Sequence, residues 1–363
     1  MRARATSLAR TAHRQTTRGI ISIRRATATA HARASHAMAM RFIDVGANMM
    51  DDMFRGVYRG KRAHDDDTGA VLARARAVGV EKIIVTCGTL DEARSGVEMV
   101  RESRMMSASI GPELYATVGV HPTRAYAFRD DPDGADAHVA KLLRVAEDST
   151  RDGAIVAIGE CGLDYDRLEF CDAETQREAF ARHFELARAV GLPMFLHMRG
   201  GGEHVVIDDF VDILSANAEG LPMCVVHSFD GSLSDAERVL AVAPGRVFIG
   251  VNGCSLRSEA NIDVIRAIPL DVMVLETDAP WCGIKRTHAG YVHLDLPPEH
   301  FPLAVKKDKH VPGETLVRDR NEPAHALAVA QIIAGIKGID VNVVADVTYR
   351  NAQRVFFAQK RIE

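Results

Sequence analysis

Residues 155–166 read IVAIGECGLDYD, a short apolar run followed by Glu160 and then by a second acidic residue, Asp164. A near-continuous apolar run of this length is typical of a strand buried on both faces, as in a parallel sheet. Glu160 lies where that strand should end, between glycines that allow the backbone to bend. Acidic residues at the carboxyl ends of parallel strands often carry the chemistry of α/β enzymes. Taken alone, Glu160 could equally cap a helix or pair with an arginine.

Apolar runs alternate with longer amphipathic stretches from Arg41 onward. This alternation predicts βαβ units and a parallel sheet. Eight strands in about 320 residues favour a closed TIM (β/α)8 barrel. An open, doubly wound sheet is the alternative, but no GxGxxG sequence follows the first strand. The predicted strands are 42–45, 82–86, 115–120, 155–158, 194–196, 223–226, 247–249 and 272–275, and the predicted helices are 66–78, 89–104, 134–149, 172–190, 204–218, 233–243, 259–267, 323–336 and 340–357.

The chain has two predicted parts. Residues 1–40 contain eight arginines and no acidic residue, in a background of Ala, Thr and Ser. This composition is typical of a mitochondrial or plastid transit peptide. The alternatives are a disordered basic tail and an extension upstream of a start at Met38 or Met40, both of which predict a cytoplasmic or nuclear protein. Residues 41–358 form the predicted barrel domain, whose connection 279–322 is long enough to indicate a functional or mobile loop.

Composition excludes several classes of protein. No apolar run approaches the roughly 20 residues that span a bilayer, so we expect no membrane partner. The six cysteines are scattered and form no CxxC pair, which disfavours a disulfide framework or a zinc ribbon. Past residue 40 the chain carries a net charge of −12, so a nucleic acid would have to be held by local basic residues. No stable protein partner is expected.

Most of the predicted strands end on a histidine or an acidic residue. A single histidine at such a place is usually a packing residue, but the repetition is hard to explain in that way. In a barrel the carboxyl ends of the strands converge on one mouth. A pocket of histidine and carboxylate side chains is a divalent-metal site by ligand type. The residues at the strand ends are Asp44, His121, Glu160, His197, His227, Glu276 and Asp278.

Several strings of the sequence resemble motifs of the TatD family of metal-dependent deoxyribonucleases. They are GECGLDYDR (159–167), LHMR (196–199), VVHSFDG (225–231), ETDAPWCG (276–283) and RDRNEPAH (318–325). FIDVGANMMDDMFRGVYRGK (42–61) and GVHPTR (119–124) resemble the eukaryotic branch of that family. The resemblance implies a barrel of the metal-dependent hydrolase type that cleaves DNA phosphodiester bonds, with single strands or ends as the expected substrate.

The resemblance also implies roles for individual residues. Glu160, His197, His227 and Asp278 are the implied metal ligands, and Glu160 would bridge two ions if two bind. His121 is expected beside them, in contact with a phosphate or a water. Asp278 is expected to accept the proton of the attacking water. The imidazoles favour Zn or Mn, whereas the resemblance and the carboxylates favour Mg.

One feature departs from the family pattern. Many relatives carry an Asp-x-His-x-His string on the first strand, which supplies two further metal ligands. Here the corresponding positions are Asp44, Gly46 and Asn48, so both histidines are absent. The number of bound ions, one or two, therefore stays open.

Basic and supporting residues complete the predicted site. Arg59, Arg199 and Arg320 fall in loops at the predicted mouth, and we expect them to contact phosphate together with His121. Supporting positions around the ligands are expected for Asp44, Asn48, Asp164 and Asn321. The loop aromatics could stack on unpaired bases or pack in the core, and they are Phe54, Tyr58, Tyr165 and Trp281.

Three functions fit the sequence. The first is a metal-dependent deoxyribonuclease, with RNA as an alternative substrate. The second is a hydrolase of amides or other esters on the same barrel, which is disfavoured because no lysine occupies a bridging-ligand position. The third is a catalytically silent barrel that binds nucleic acid. The missing histidines favour this third reading, but the four retained ligands disfavour it.

Overall fold

The structure is a computed structural model that describes residues 40–105, 111–200 and 205–358. The residues from Met40 onward belong to one compact unit. Residues 1–39 lie outside the described residues, so the predicted targeting role of residues 1–40 remains a prediction. Among the described residues, no single helix has the length and hydropathy to cross a membrane. One pair of helical segments, Pro323–Lys337 and Val341–Phe357, meets that criterion only jointly and is bent by 116°.

Eight parallel strands form one sheet in which each strand pairs with the next along the chain. The last strand also meets the first, because Asp278 N donates to Gly46 O (2.8 Å) and Asn48 N donates to Ala279 O (2.6 Å). The sheet is therefore a nearly closed barrel, and the predicted TIM (β/α)8 fold is confirmed. The strands are β1 (Phe42–Ala47), β2 (Val80–Val85), β3 (Glu113–Val118), β4 (Ile155–Asp164), β5 (Met194–Arg199), β6 (Cys224–His227), β7 (Val247–Val251) and β8 (Met273–Leu275).

Helices alternate with the strands and cover the outside of the barrel. Each predicted helical segment is present, and one short helix, α3, was not predicted because its five residues carry too little periodicity. The helices are α1 (Thr68–Ala77), α2 (Leu90–Met105), α3 (Tyr126–Asp130), α4 (Ala135–Thr150), α5 (Ala173–Val190), α6 (Ile207–Ala216), α7 (Leu233–Val242), α8 (Glu259–Ala267), α9 (Ala326–Lys337) and α10 (Val341–Ala352).

Helix α5 shows how the sequence sets these elements. The Asp172 side chain caps its first turn by accepting a hydrogen bond from Thr175 N, and Gly191 ends it with a left-handed φ of 67°. Phe180 and Phe184 lie one turn apart and are both fully buried against the barrel. The capping residue, the apolar face and the terminating glycine are therefore all consistent with the same helix.

The inside of the barrel is closed at the amino-terminal ends of the strands. Apolar side chains from seven of the eight strands fill the interior, and residues of α10 and the turn after it pack beneath them. The open mouth is therefore at the carboxyl ends of the strands, where barrels of this type hold their sites. The interior residues are Ile43, Val45, Ile84, Val156, Ala157, Phe195, Val225, Phe248 and Val274, and the plug consists of Tyr349, Ala352, Val355 and Phe356.

The connection 279–322 is ordered into short elements rather than regular helices. It contains turns of 3-10 helix and a parallel pair of two-residue strands, Ala304–Val305 and Leu316–Val317. The loop after β1 forms a small antiparallel hairpin from Val57–Tyr58 and Lys61–Arg62. Many residues of the 279–322 connection line the mouth of the barrel.

Candidate active site

A cavity of about 1770 Å³ opens at the carboxyl ends of the strands. Its lining includes the predicted metal ligands Glu160, His197, His227 and Asp278, together with His121. His121, His197, His227 and Asp278 come from the ends of β3, β5, β6 and β8 or from the positions just after them. The prediction that β4 ends at Glu160 is wrong, because the strand continues to Asp164 and Glu160 lies within it, where its pairing with β5 shifts register. The barrel topology therefore brings together residues that are up to 157 positions apart in the sequence.

Three buried side chains converge at the base of this cavity. Glu160 Oε1 lies 2.7 Å from His197 Nδ1 and 2.7 Å from His227 Nε2, and the two nitrogens are 3.0 Å apart. His121 Nε2 lies 3.5 Å from the same carboxylate oxygen. Two imidazole nitrogens and a carboxylate oxygen at a common point are the donor set of a divalent-metal centre. His121, Glu160 and His197 also have donor atoms close enough to share one ion.

Each of the imidazoles of His197 and His227 has a carboxylate beside its other nitrogen. Asp164 Oδ2 lies 3.4 Å from His197 Nε2, and Glu276 Oε2 lies 3.7 Å from His227 Nδ1. Carboxylates in this position fix the orientation and tautomer of a metal-binding histidine. Asp164 therefore lies where a supporting residue was predicted. The sequence marks Glu276 only as a strand-end acid, and its position two residues before Asp278 in ETDAPW is the signal of a supporting role.

The charges of the converging groups depend on one another. Burial alone would raise the pKa of Glu160, but His227 and His121 and the hydrogen bonds from the histidines hold that pKa well below its usual value. Burial would lower the pKa of His227, but Glu160 and Glu276 raise it well above its usual value. The site thus attracts positive charge strongly. A cation would have to replace a proton there, so cation binding and proton release are coupled.

His121 is held as a neutral donor. Its Nδ1 accepts a hydrogen bond from Thr123 N (3.1 Å), which leaves the ring proton on Nε2. Burial lowers the pKa of His121 to about 4, so the ring is neutral near pH 7. Nε2–H is on the side of the ring that faces Glu160. This arrangement fits the predicted contact of His121 with a phosphate or a water.

Asp278 lines the cavity from just beyond β8. Its Oδ1 accepts from Asn48 Nδ2 (2.8 Å), and its Oδ2 accepts from Cys282 Sγ (3.0 Å). Burial raises the pKa of Asp278 to about 6. A carboxyl group that titrates near neutrality is suited to accept and release a proton during a reaction.

The other predicted supporting residues form hydrogen bonds to Thr277 and Asp278. Asp44 is fully buried and accepts from Thr277 N (2.9 Å) and Thr277 Oγ1 (2.6 Å). Asn321 Nδ2 donates to Thr277 O (2.8 Å). Together with the Asn48 bond to Asp278, these contacts fix the backbone on which Asp278 is mounted.

The structure explains why the first strand has no histidine at position 46. A Cβ atom on Gly46 would lie only 2.6 Å from Phe195 Cζ and 3.1 Å from Glu276 Oε2. The Phe195 ring stacks on the His227 imidazole, with 4.6 Å between the ring centroids. The space that a side chain at position 46 would need is therefore occupied by Phe195, which packs on His227.

The predicted phosphate contacts have three different placements. Arg199 lines the cavity, and its Nε lies 3.2 Å from Asp166 Oδ2. Arg59 is exposed at the turn of the 57–62 hairpin and is not among the residues that line the cavity. Arg320 borders the cavity but is buried, and it donates to Asp67 Oδ1 (2.7 Å) and Oδ2 (2.6 Å). Because its guanidinium is already used in an internal ion pair, Arg320 does not fit the predicted phosphate contact.

Comparison with known proteins agrees with this geometry. The family described as TatD related DNase matches residues 43–357. A protein of Schizosaccharomyces pombe named deoxyribonuclease Tat-D is 36% identical over 322 residues, which cover 88% of this chain and 97% of that protein. A protein of Erwinia tasmaniensis named 3'-5' ssDNA/RNA exonuclease TatD is 31% identical over 86% of this chain and 98% of its own length.

A solved structure is similar to this chain in both fold and sequence. The crystal structure of an uncharacterized amidohydrolase from Saccharomyces cerevisiae superposes with a TM-score of 0.80 at 31% identity, covering 87% of this chain and all of that one. The resemblance inferred from the sequence motifs is thereby confirmed. This chain belongs to the TatD-related DNase family.

Proposed function

We propose that this protein is a metal-dependent hydrolase of phosphodiester bonds in DNA. The observation that carries the proposal is the convergence of Glu160, His197 and His227 on one point at the base of the barrel mouth. Membership of a DNase family supports the same chemistry. The breadth of the cavity supports a large substrate, since small-molecule pockets measure roughly 300–1,000 Å³.

The residues of the site have distinct roles in this proposal. Glu160, His197, His227 and Asp278 would hold a divalent ion, which when bound stabilises charge on a phosphate oxygen and lowers the pKa of water. Asp278 would accept the proton of the attacking water, because its pKa is raised towards neutrality. His121 would donate its Nε2–H to a phosphate oxygen.

Mg is the first choice of ion because carboxylate and phosphate oxygens suit it, and the two imidazoles also suit Mn or Zn. We expect one ion per chain rather than two. The first strand offers no imidazole to a second ion. Position 46 has no room for a side chain, and the Asn48 side-chain N–H donates to Asp278. Elemental analysis of the purified protein should give about one equivalent of metal, and two equivalents would contradict this expectation.

Single strands or strand ends are the proposed substrates. The relative from Erwinia tasmaniensis carries a name that specifies single-stranded DNA and RNA. The base of the site is deeply buried, with Glu160 and His197 each 8% exposed. An unpaired strand can bring its phosphate to such a depth more readily than a duplex. RNA is the alternative substrate within the same chemistry.

Protein beginning at Met40 should be incubated with single-stranded DNA after chelation and again with Mg, Mn or Zn. We expect cleavage only with metal, and Asp278→Asn should lower kcat by about 100-fold or more. Asp308→Asn, an exposed acidic residue outside the cavity, is the matched control. Hydrolysis of simple esters or amides without cleavage of DNA would favour the alternative hydrolase. Binding without cleavage in every metal would favour a silent nucleic-acid-binding barrel.

We also propose that residues 1–40 direct the protein to a mitochondrion or plastid. The support is their arginine-rich, acid-free composition. Fusion of these residues to a fluorescent reporter should send the reporter to an organelle. A reporter that stays in the cytosol or nucleus would contradict the proposal.

A further inference from the structure

Apart from the buried Arg320, the arginines and lysines that line the cavity fall into two groups. On the loops after β4 and β5, Arg167 lies 3.4 Å from Asp164 and Arg199 lies 3.2 Å from Asp166. The other group lies on the loop after β7 and on the connection 279–322. It consists of Arg257, Lys285, Arg286 and Arg318, which are exposed and line the cavity.

The second group is not neutralised locally. Within residues 40–105, 111–200 and 205–358, none of these four cations forms an ion pair with a carboxylate. Asp230 and Asp319 also line the cavity, but neither pairs with them. A wall of unpaired cations above a buried acidic centre attracts a polyanion and draws it across the mouth.

Trp281 lies on the same wall. It is the only tryptophan of the chain, and 52% of its surface is exposed although it lines the cavity. Its backbone N donates to Asp278 O (2.9 Å), which fixes its backbone three residues after a metal ligand. A large aromatic side chain left half exposed in a binding cleft is suited to stack on a ligand with a flat face.

The other candidate aromatics are already engaged. Phe54 is fully buried and Tyr165 is 6% exposed. The Tyr58 hydroxyl lies 3.0 Å from His64 Nε2, and the Tyr58 ring lies beneath Lys307 Nζ at 4.6 Å. Of the four aromatics that the sequence placed at the mouth, Trp281 is therefore the one available for stacking.

We propose that this wall is a track for a single strand, in which an unpaired base stacks on Trp281 while Lys285, Arg286 and Arg318 contact the backbone phosphates. The proposal rests on the proposed function, because the track leads to the centre that would cleave the strand. Stacking on an aromatic side chain tolerates any base but requires an exposed base face, which a duplex hides. The track therefore selects unpaired strands without reading their sequence.

The fluorescence of the single tryptophan tests the stacking directly. Chelator-treated protein titrated with oligothymidylate should show saturable quenching of Trp281 without cleavage. An abasic oligomer of equal length has the same phosphates but no bases, and it should bind with much weaker quenching. Equal quenching by both oligomers, or binding seen by anisotropy without any quenching, would overturn the stacking role.

Kinetics separate the track from the metal centre. Trp281→Ala should lower kcat/KM for single-stranded DNA relative to that for bis-p-nitrophenyl phosphate, a small diester, by about five-fold or more, and Trp281→Phe should restore most of the loss. If that ratio is unchanged in Trp281→Ala, the track is wrong although the proposed function stands. If neither substrate is hydrolysed with any metal, the proposed function itself fails.

The phosphate contacts have their own test in the salt dependence of binding. Replacing both Lys285 and Arg286 with Gln should reduce the slope of log affinity against log salt by roughly 1.4, since each single-strand phosphate contact contributes roughly 0.7. Arg188→Gln removes an exposed arginine that lies away from this cavity and should leave the slope unchanged. An equal slope in the double variant and the wild type would overturn the proposed contacts.

Discussion

The barrel contains two buried clusters of histidine and carboxylate with opposite surroundings. Among the described residues, His121, Glu160 and His197, together with the adjoining His227, form the first, and His64, Asp67 and His310 form the second. By residue type and by the spacing of their donor atoms, both clusters could hold a metal ion. The difference lies in what each nitrogen and oxygen already touches.

In the second cluster the donor atoms are used by the protein itself. His310 Nε2 lies 2.9 Å from Asp67 and its Nδ1 lies 3.0 Å from Thr315 Oγ1. Both ring nitrogens of His64 also have protein partners. Arg320 places two hydrogen bonds on Asp67 and thereby neutralises it. This cluster fastens the connection 279–322 to the residue that precedes α1.

In the first cluster the donor atoms point at one another. Glu160 Oε1 is shared by two histidines, and no arginine or lysine among the described residues pairs with Glu160. Asp164 and Glu276, which lie on the far sides of His197 and His227, add further negative charge to that of Glu160. This difference supports the proposal that the first cluster holds the metal ion and that the second, made of the same residue types, is structural.

Glu160→Gln should have the largest effect of any single change. Gln keeps the shape of the side chain but removes the charge that attracts a cation, so metal content should fall and kcat/KM for single-stranded DNA should drop by at least about 1000-fold. Elemental analysis and initial-rate kinetics measure the two effects. Retention of activity within ten-fold would show that Glu160 is not a principal ligand.

Asp67→Asn tests the other cluster. Loss of the Asp67 charge leaves the buried Arg320 guanidinium with Glu322 as its remaining carboxylate partner, at 2.9 Å. We expect the free energy of unfolding to fall by about 3 kcal/mol, because one charge of a buried ion pair becomes poorly compensated. Urea denaturation measures the loss. Metal content per chain should match the wild type, and a loss of metal would mean that this cluster is also a metal site.

The first cluster could be predicted from the sequence because the barrel has a simple rule. Successive parallel strands place their carboxyl ends at one mouth, so histidines and acids at those ends must become neighbours. His121, His197, His227 and Asp278 follow that rule, Glu160 lies at an irregularity within β4, and all five line the cavity. The pattern of strands and helices is therefore enough to predict that these residues are neighbours, even though no side-chain contact is known from the sequence.

The second cluster could not be predicted in the same way. Arg320 was expected to contact phosphate because it lies in a loop at the mouth, but its partner Asp67 is 253 positions away and follows no periodic pattern. The lack of room for a side chain at Gly46 is due to the Phe195 ring, which also comes from a distant strand. Side-chain pairing between irregular segments leaves no signal in a single sequence.

His183 gives a third case, a buried histidine that is neutral and fully bonded. Its Nε2 accepts from Val120 N (3.0 Å) and its Nδ1 donates to Ala179 O (2.7 Å). Burial lowers the pKa of His183 to about 4 from 6.5. The unfolded chain takes up a proton near pH 6.5, whereas the folded chain does so only near pH 4. Stability should therefore fall as the pH is lowered through this window, by about 3 kcal/mol in all.

The His183→Gln variant isolates this contribution from the other histidines. Gln can accept from Val120 N and donate to Ala179 O, but it does not titrate. Urea denaturation at several pH values between 4 and 7 should show a shallower dependence of stability on pH for the variant than for the wild type. Parallel curves would mean that His183 is not the source of the acid sensitivity.

Glu276→Gln should have the smallest effect, and it tests why the first cluster converges. Glu276 accepts from Ser228 N and from Asn252 Nδ2 (3.1 Å) through one oxygen, and its other oxygen lies beside His227 Nδ1. The amide oxygen can accept both of these hydrogen bonds, but the amide brings no negative charge to the imidazole. Metal affinity should fall by about 10-fold to 100-fold, measured by competition with a chelating dye. Asp164→Asn should act similarly on His197, whereas Glu322→Gln, which changes a partner of Arg320 beside the structural cluster, should reduce stability without changing metal affinity. If Glu276→Gln binds metal like the wild type, the orientation of His227 must come from stacking on Phe195 rather than from the carboxylate.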